Sequence, residues 1–304
     1  MEINWYPGHM AKAKRELQEQ LKKVDVVVEV LDARIPHSSR NPDLGRMCAR
    51  KKRLMVLGKS DLADPEMTKA WEEYYRRTGI PCIHAEMNRD AKRILAAIER
   101  EARECVDRAM ERGIRKTVRV MVAGVPNAGK STLINRLNGQ SVAKVGDRPG
   151  VTRSTRWVKV GPYLEMMDTP GLLWPRLDDP DAARRLCYTS AIRDEVVDTY
   201  ALATHLMEDL LKAVPKAAAE RFHLKDPSLR GQEMMDAVCV GRGFLMKGGV
   251  PDLERCCRVI LDEYRGGKLG RITLEAPPRA DTGKADKDDE EGSDAPSEGT
   301  DGNV

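Results

Sequence analysis

A strand-like run, Val118–Gly124 (VRVMVAG), ends in a glycine, and the chain resumes shortly after as a helix-like run, Lys130–Asn138 (KSTLINRLN). The link between them, Gly124-Val125-Pro126-Asn127-Ala128-Gly129-Lys130-Ser131, fits G-x-x-x-x-G-K-[ST]. No other feature of the 304 residues restricts the fold as tightly. The motif works only as a turn from a buried strand into a helix start, which predicts an α/β architecture. Its glycines let the backbone wrap around phosphates, and the amides and dipole of the helix start attract the anion. Lys130 is placed to reach β- and γ-phosphates, and the Ser131 hydroxyl to ligate Mg²⁺. Asn127, Ala128, Gly129 and Thr132 complete the candidate phosphate contacts.

A second motif, Asp168-Thr169-Pro170-Gly171, closes a strand-like run, Leu164–Met167. After a strand at this distance from a phosphate loop, Asp168 is the expected carboxylate that holds Mg²⁺ through water. The Gly171 amide would sense the γ-phosphate. Between the two motifs, Thr152 in Asp147-Arg148-Pro149-Gly150-Val151-Thr152 is the candidate switch threonine that completes the Mg²⁺ shell in the triphosphate state.

A phosphate loop does not choose the base. Downstream of Asp168 nothing fits the guanine-selecting form Asn-Lys-x-Asp, but upstream the strand-like Leu54–Leu57 runs into Gly58-Lys59-Ser60-Asp61. Asp61 can accept from both guanine N1–H and N2–H₂, whereas adenine would set an acceptor against the carboxylate. The stem of Lys59 can lie across the base. Gly58 stands where Asn is usual, which removes an amide able to brace the loop. The next strand-like run, Ile80–His84, leads into Ala85, whose amide could face guanine O6; His84 is either a contact or a bystander. The motif order is therefore rotated: base loops first, then phosphate loop, switch and D-x-x-G. Rotation preserves the arrangement in space where the original termini lie close together.

Around these motifs, residues 1–178 alternate β and α. Met10–Lys23 reads as an amphipathic helix, Val24–Leu31 as a buried strand, Pro65–Thr78 and Asp90–Arg112 as helices, and Trp157–Val160 with Leu164–Met167 as an antiparallel pair. This predicts a mainly parallel sheet with helices on both faces. Residues 179–276 read as a small all-helical domain, with helices at Asp181–Arg193, Thr199–Ala213, Gly231–Val240 and Val250–Tyr264. Residues 277–304 hold nine acidic and three basic residues and no apolar period, so they read as a disordered acidic tail. The rest of the chain thus carries a net charge of +10, all of it within residues 1–179. Such a surface suits a polyanion such as RNA, or is simply a solvated face; charge alone does not separate the two. Cys256-Cys257 and the methionines Met234, Met235 and Met246 read as core filler. The seven cysteines show no zinc spacing or disulfide pattern, and no apolar run is long enough to cross a membrane.

Together the motifs resemble those of the circularly permuted GTPases, specifically the ribosome biogenesis GTPase A (RbgA/YlqF) family. The resemblance spans about residues 1–275. It includes Trp5-Tyr6-Pro7-Gly8-His9-Met10, Asp32-Ala33-Arg34-Ile35-Pro36, both phosphate motifs, Leu172-Leu173-Trp174-Pro175, and Gly266-Gly267-Lys268-Leu269-Gly270-Arg271-Ile272. It implies a circularly permuted P-loop GTPase domain followed by a helical domain that docks on ribosomal RNA. It also implies hydrolysis of GTP to GDP as a switch in assembly of the large (50S) ribosomal subunit. Partners would be GTP/GDP and the large-subunit precursor with its rRNA; the expectation is a cytoplasmic monomer with no membrane association. Leu172 stands where Ras-type enzymes carry a water-orienting Gln, so hydrolysis is expected to be slow until a partner binds. The resemblance points to His9 as the catalytic group that orients the water. It also makes Asn127 a candidate ligand for K⁺ beside the phosphates. The alternatives are a nucleotide-gated rRNA-binding factor with negligible hydrolysis, and an ATPase or kinase on the same phosphate loop.

Overall fold

A computed structural model of the chain describes residues 15–139, 156–160, 162–169, 171 and 179–278. Six strands, β1 (Val26–Asp32), β2 (Lys52–Gly58), β3 (Cys82–His84), β4 (Val118–Gly124), β5 (Arg156–Lys159) and β6 (Leu164–Asp168), form one sheet in the order β3-β2-β1-β4-β6-β5. All pairings are parallel except β5 with β6. The helices around it are α1 (residues 15–21), α2 (Pro42–Met47), α3 (Pro65–Arg77), α4 (Ala91–Met110) and α5 (Lys130–Asn138).

Strand alternation decides which helix lies where. Val26, Val28 and Val30 of β1 and Val120 and Val122 of β4 face Ile94 and Ile98 of α4 and Leu133 of α5. Val27, Met121 and Met167 point the other way, onto Leu17 and Leu21 of α1 and Leu44 of α2. Leu31, Met55 and Leu57 pack on Trp71 and Tyr75 of α3. Every residue of β1 is buried, as a central parallel strand covered on both faces requires. The expected parallel sheet with helices on both faces is what forms.

Counted from β4 through β5 and β6 and then on to β1, β2 and β3, the strands stand in the order 2-3-1-4-5-6. From β1 the chain winds outward one way through β2 and β3; from β4 it winds the other way. In such sheets ligands bind outside the carboxyl ends of the strands where the winding reverses. Here that point lies between β1 and β4.

Beyond the sheet come α6 (Pro180–Tyr188), α7 (Thr199–Ala213), α8 (Pro215–Phe222), α9 (Gly231–Arg242) and α10 (Leu253–Arg265). Met234, Met235, Cys256 and Cys257 are buried among them, as expected. Met246 is not: it lies in the turn between α9 and α10, is 54% exposed, and is not core filler. Helix α6 stops at Tyr188, short of the expected Arg193, because Ser190 takes a left-handed conformation (φ 59°). Ala191 N–H then donates to Leu186 O and Ser190 N–H to Cys187 O, which closes the helix end. A buried carboxylate, Glu263 of α10, ties the bundle by accepting from Arg221 at 2.7 and 2.9 Å and from Arg242 at 3.1 Å. Residues 271–276, read from sequence as part of the helical segment, leave it and run back to the ends of β1 and β2, where Ile272 N–H donates to Leu62 O and Leu274 N–H to Arg34 O.

Candidate nucleotide site

The candidate residues that the structure describes come from the carboxyl ends of β2, β3, β4 and β6 or the loops that follow. At the end of β4, Gly124 (φ 148°) is required: a Cβ there would fall onto the carbonyl of Val30 in β1. Asn127 (φ 59°) and Gly129 (φ 101°) turn the chain into α5 with left-handed backbones. Gly129 is the N-cap and supplies no side-chain acceptor, so the amides of the first turn of α5, where Lys130, Ser131 and Thr132 sit, face the loop's mouth. Ala128 is buried under that turn.

Lys130 is buried, and its Nζ donates to Val125 O at 2.9 Å. Burial pushes its ammonium down to about 8, against the pull of the nearby Asp168 carboxylate. A lysine held this way is short of anionic partners, and phosphate oxygens would supply them. Ser131 Oγ donates to Asp168 Oδ2 at 3.0 Å, so the two motifs expected to share a metal ion meet in the fold. A serine hydroxyl beside a buried carboxylate is a hard oxygen donor pair, and it fits Mg²⁺. Thr169 Oγ1 donates to Val122 O at 2.7 Å and anchors the D-T-P-G turn to β4. Gly171 lies against the phosphate loop so closely that a Cβ would sit 2.6 Å from Pro126 Cα. The Asn127 side-chain amide donates to Ser190 O at 2.7 Å, tying the phosphate loop to the end of α6.

The base loop follows β2. Lys59 is left-handed (φ 55°), and Leu62 N–H donates to Lys59 O at 2.9 Å, a tight turn that presents Asp61 to solvent. Lys59 Nζ lies 3.3 Å from Asp32 Oδ2. Asp32 stands at the end of β1. It also takes Arg34 Nε at 2.9 Å and Nη2 at 2.8 Å. Burial pushes the Asp32 carboxyl up, but the charges of Arg34 and Lys59 outweigh this and hold it well below the usual range. Gly58 has a reason to be glycine: a Cβ there would come 2.6 Å from Met87 Cε and 3.0 Å from Ala128 O. The phosphate loop thus approaches the base loop directly, with Met87 filling the gap, and a bracing Asn side chain would require Met87 to move and Ala128 to give way.

One expectation changes at the second base loop. The Ala85 amide donates to Leu57 O at 2.8 Å, so it extends the β2–β3 ladder and is not aimed at a base. The His84 ring is held by Glu72 of α3 through Nδ1, and its backbone N–H donates to the same carboxylate at 3.2 Å. His84 is thereby tied to α3. His9 and Thr152 lie outside the described residues, as does Leu172. Ser60 is buried and its amide approaches Ala85 O at 3.5 Å, which links the two base loops.

A six-stranded, mainly parallel sheet with a phosphate loop at its centre and a Ser–Asp pair beside it defines a P-loop GTPase domain with its strands in permuted order. The family model described as "50S ribosome-binding GTPase" matches residues 119–226. Ribosome biogenesis GTPase A from Bacillus cereus is 42% identical over 280 residues, covering 91% of this chain and 95% of that protein. Its counterpart from Thermotoga maritima is 31% identical over 275 residues, covering 90% and 95%. The crystal structure of GNP-bound YlqF from T. maritima superposes with a TM-score of 0.65 at 27% identity, covering 88% of this chain and 99% of that one. The chain belongs to the ribosome biogenesis GTPase A family and is a GTPase of ribosome assembly.

Proposed function

We propose that this GTPase acts on the precursor of the large (50S) ribosomal subunit, docking with GTP bound and leaving after hydrolysis. The observation that carries the reading is the contact of Ser131 with Asp168, with Gly171 laid against Pro126. It links the nucleotide's γ-phosphate end to the chain that leads directly into α6, so loss of that phosphate can be felt by the helical segment. The family description that matches residues 119–226 supports the 50S assignment. We assign residues 1–178 to the GTPase domain and 179–276 to an rRNA-docking domain, in a cytoplasmic monomer.

In the site, Lys130 and the first-turn amides of α5 bind the β- and γ-phosphates, and Lys59 and Asp61 take the guanine. Ser131, Thr152 and Asp168 would hold Mg²⁺, Asp168 through water, and the ion would supply positive charge to the phosphates. Asn127 would offer its carbonyl oxygen to K⁺. Leu172 cannot hydrogen-bond water, so turnover by the isolated protein is slow. On the particle, a neutral His9 imidazole accepts a hydrogen bond from the attacking water and orients it. A His9→Ala variant should bind GTP normally and lose particle-stimulated turnover. Full stimulated turnover in that variant would defeat the assignment, and equal stimulated rates in K⁺ and Na⁺ would defeat the K⁺ role. The switch itself is tested by co-sedimentation with large-subunit precursors: GTP should favour binding over GDP, and equal binding would contradict it.

A further inference from the structure

The segment after α10 grips the base loop on both sides of Asp61. Arg271 Nη2 donates to Ser60 O at 2.8 Å, and Ile272 N–H donates to Leu62 O at 3.0 Å. Thr273 Oγ1 accepts from Asp64 N–H at 3.1 Å and donates to Ala33 O at 3.1 Å. Gly267 (φ 69°) lies so near that a Cβ would meet Leu62 Cδ2 at 2.7 Å. Below, the Asp32–Arg34–Lys59 cluster is closed from the same side, because Arg34 Nη1 donates to Arg265 O and its guanidinium lies over the Tyr264 ring. The 271–274 segment is itself anchored farther on, where the buried Glu275 carboxylate accepts from the His37 and Ser38 amides and from Arg185 of α6.

Selecting guanine by two hydrogen bonds requires both Asp61 carboxylate oxygens to sit in one plane with N1–H and N2–H₂, within a few tenths of an ångström. Asp61 itself is exposed, and its own turn offers the single closing bond from Leu62 to Lys59. The Ser60–Asp61 peptide before it and the Leu62 carbonyl one peptide beyond it are fixed by donors more than two hundred residues away, while the peptide between them is closed by the local Leu62–Lys59 bond. We propose that Arg271 and Thr273 are positioning residues for guanine selection, Arg271 holding the Ser60 carbonyl next to Asp61 and Thr273 the Asp64 amide where the base loop ends, so that the Asp61 carboxylate meets the base squarely. This rests on the reading of Asp61 as the guanine contact.

The test uses the full chain with GDP, IDP and XDP in competition binding. IDP lacks the 2-amino group, so the ratio of GDP to IDP affinity reports the second hydrogen bond alone. Arg271 is exposed, so Arg271→Ala leaves no cavity. It should lower the GDP/IDP ratio by about five-fold, the scale of one charge-assisted hydrogen bond only partly transmitted. Thr273→Val should lower it similarly, and Arg271→Lys should restore at least half the effect. A loss of folded protein would weaken GDP and IDP by one common factor and leave the ratio untouched. Asp61→Asn should shift preference from GDP to XDP. If Asp61→Asn makes that shift while Arg271→Ala and Thr273→Val leave the ratio unchanged, the positioning role is overturned. If Asp61→Asn makes no shift, the base reading fails and the positioning role with it.

Discussion

Replacing Lys130 with methionine isolates the electrostatic cost that the phosphate loop carries when no anion is bound. The lysine is buried, and its ammonium is pushed from 10.5 down to about 8. The unfolded chain therefore binds the proton more tightly, and between pH 8 and 10.5 stability rises with pH. The penalty is full below about pH 8, on the order of 3 kcal/mol, and vanishes as pH climbs through 10.5. Lys130→Met removes that penalty but also the bond to Val125 O, which costs back about 1 kcal/mol at every pH. The difference between the two proteins across pH is thus cleaner than either value. Measured by urea denaturation without nucleotide, the wild type should gain about 2.5 kcal/mol on Lys130→Met between pH 7 and pH 10. Groups common to both proteins cancel. A flat difference, or one of opposite slope, would refute the buried, proton-losing lysine.

Gly58→Asn, which restores the usual residue, should weaken GDP binding, because its Cβ would come 2.6 Å from Met87 Cε and 3.0 Å from Ala128 O. Adding Met87→Ala should recover part of the loss in the same fluorescence titration, and a gain from Gly58→Asn alone would contradict the packing. Gly171→Ala puts a Cβ 2.6 Å from Pro126 Cα, so the turn must shift at about 1–3 kcal/mol; binding of a non-hydrolysable GTP analogue should suffer more than GDP. Thiol titration of the native protein should show one fast cysteine, Cys105, since the other six are buried; burial also pushes the thiols of Cys48 and Cys187 up to about 12. Several fast thiols would contradict the core.

Long periodic elements were legible in the sequence: Lys130–Asn138 and Thr199–Ala213 form over the expected spans. The phosphate loop and D-x-x-G were legible because their chemistry is local and needs fixed residue types. The short α2 was not, since its start rests on one cap: Asn41 Oδ1 accepts from Asp43 and Leu44 amides. Nor was α8, whose Pro215 reads as a stop although proline also suits a helix's first turn. The Ala85 amide could not be assigned from sequence because its partner, Leu57 O, belongs to another strand. The same holds for Arg271 and Glu275, which act on backbone atoms far away in the chain and leave no periodic or spaced pattern. Residue identity announces chemistry within a loop; contacts between loops appear only once the sheet has brought its carboxyl ends together.

The most direct test of the central claim is GTP turnover in K⁺ buffer with and without purified large ribosomal subunits, with ATP as the control. The account predicts slow basal turnover, strong stimulation by the subunit, and none with ATP. Basal GTP turnover that the subunit leaves unchanged would contradict it.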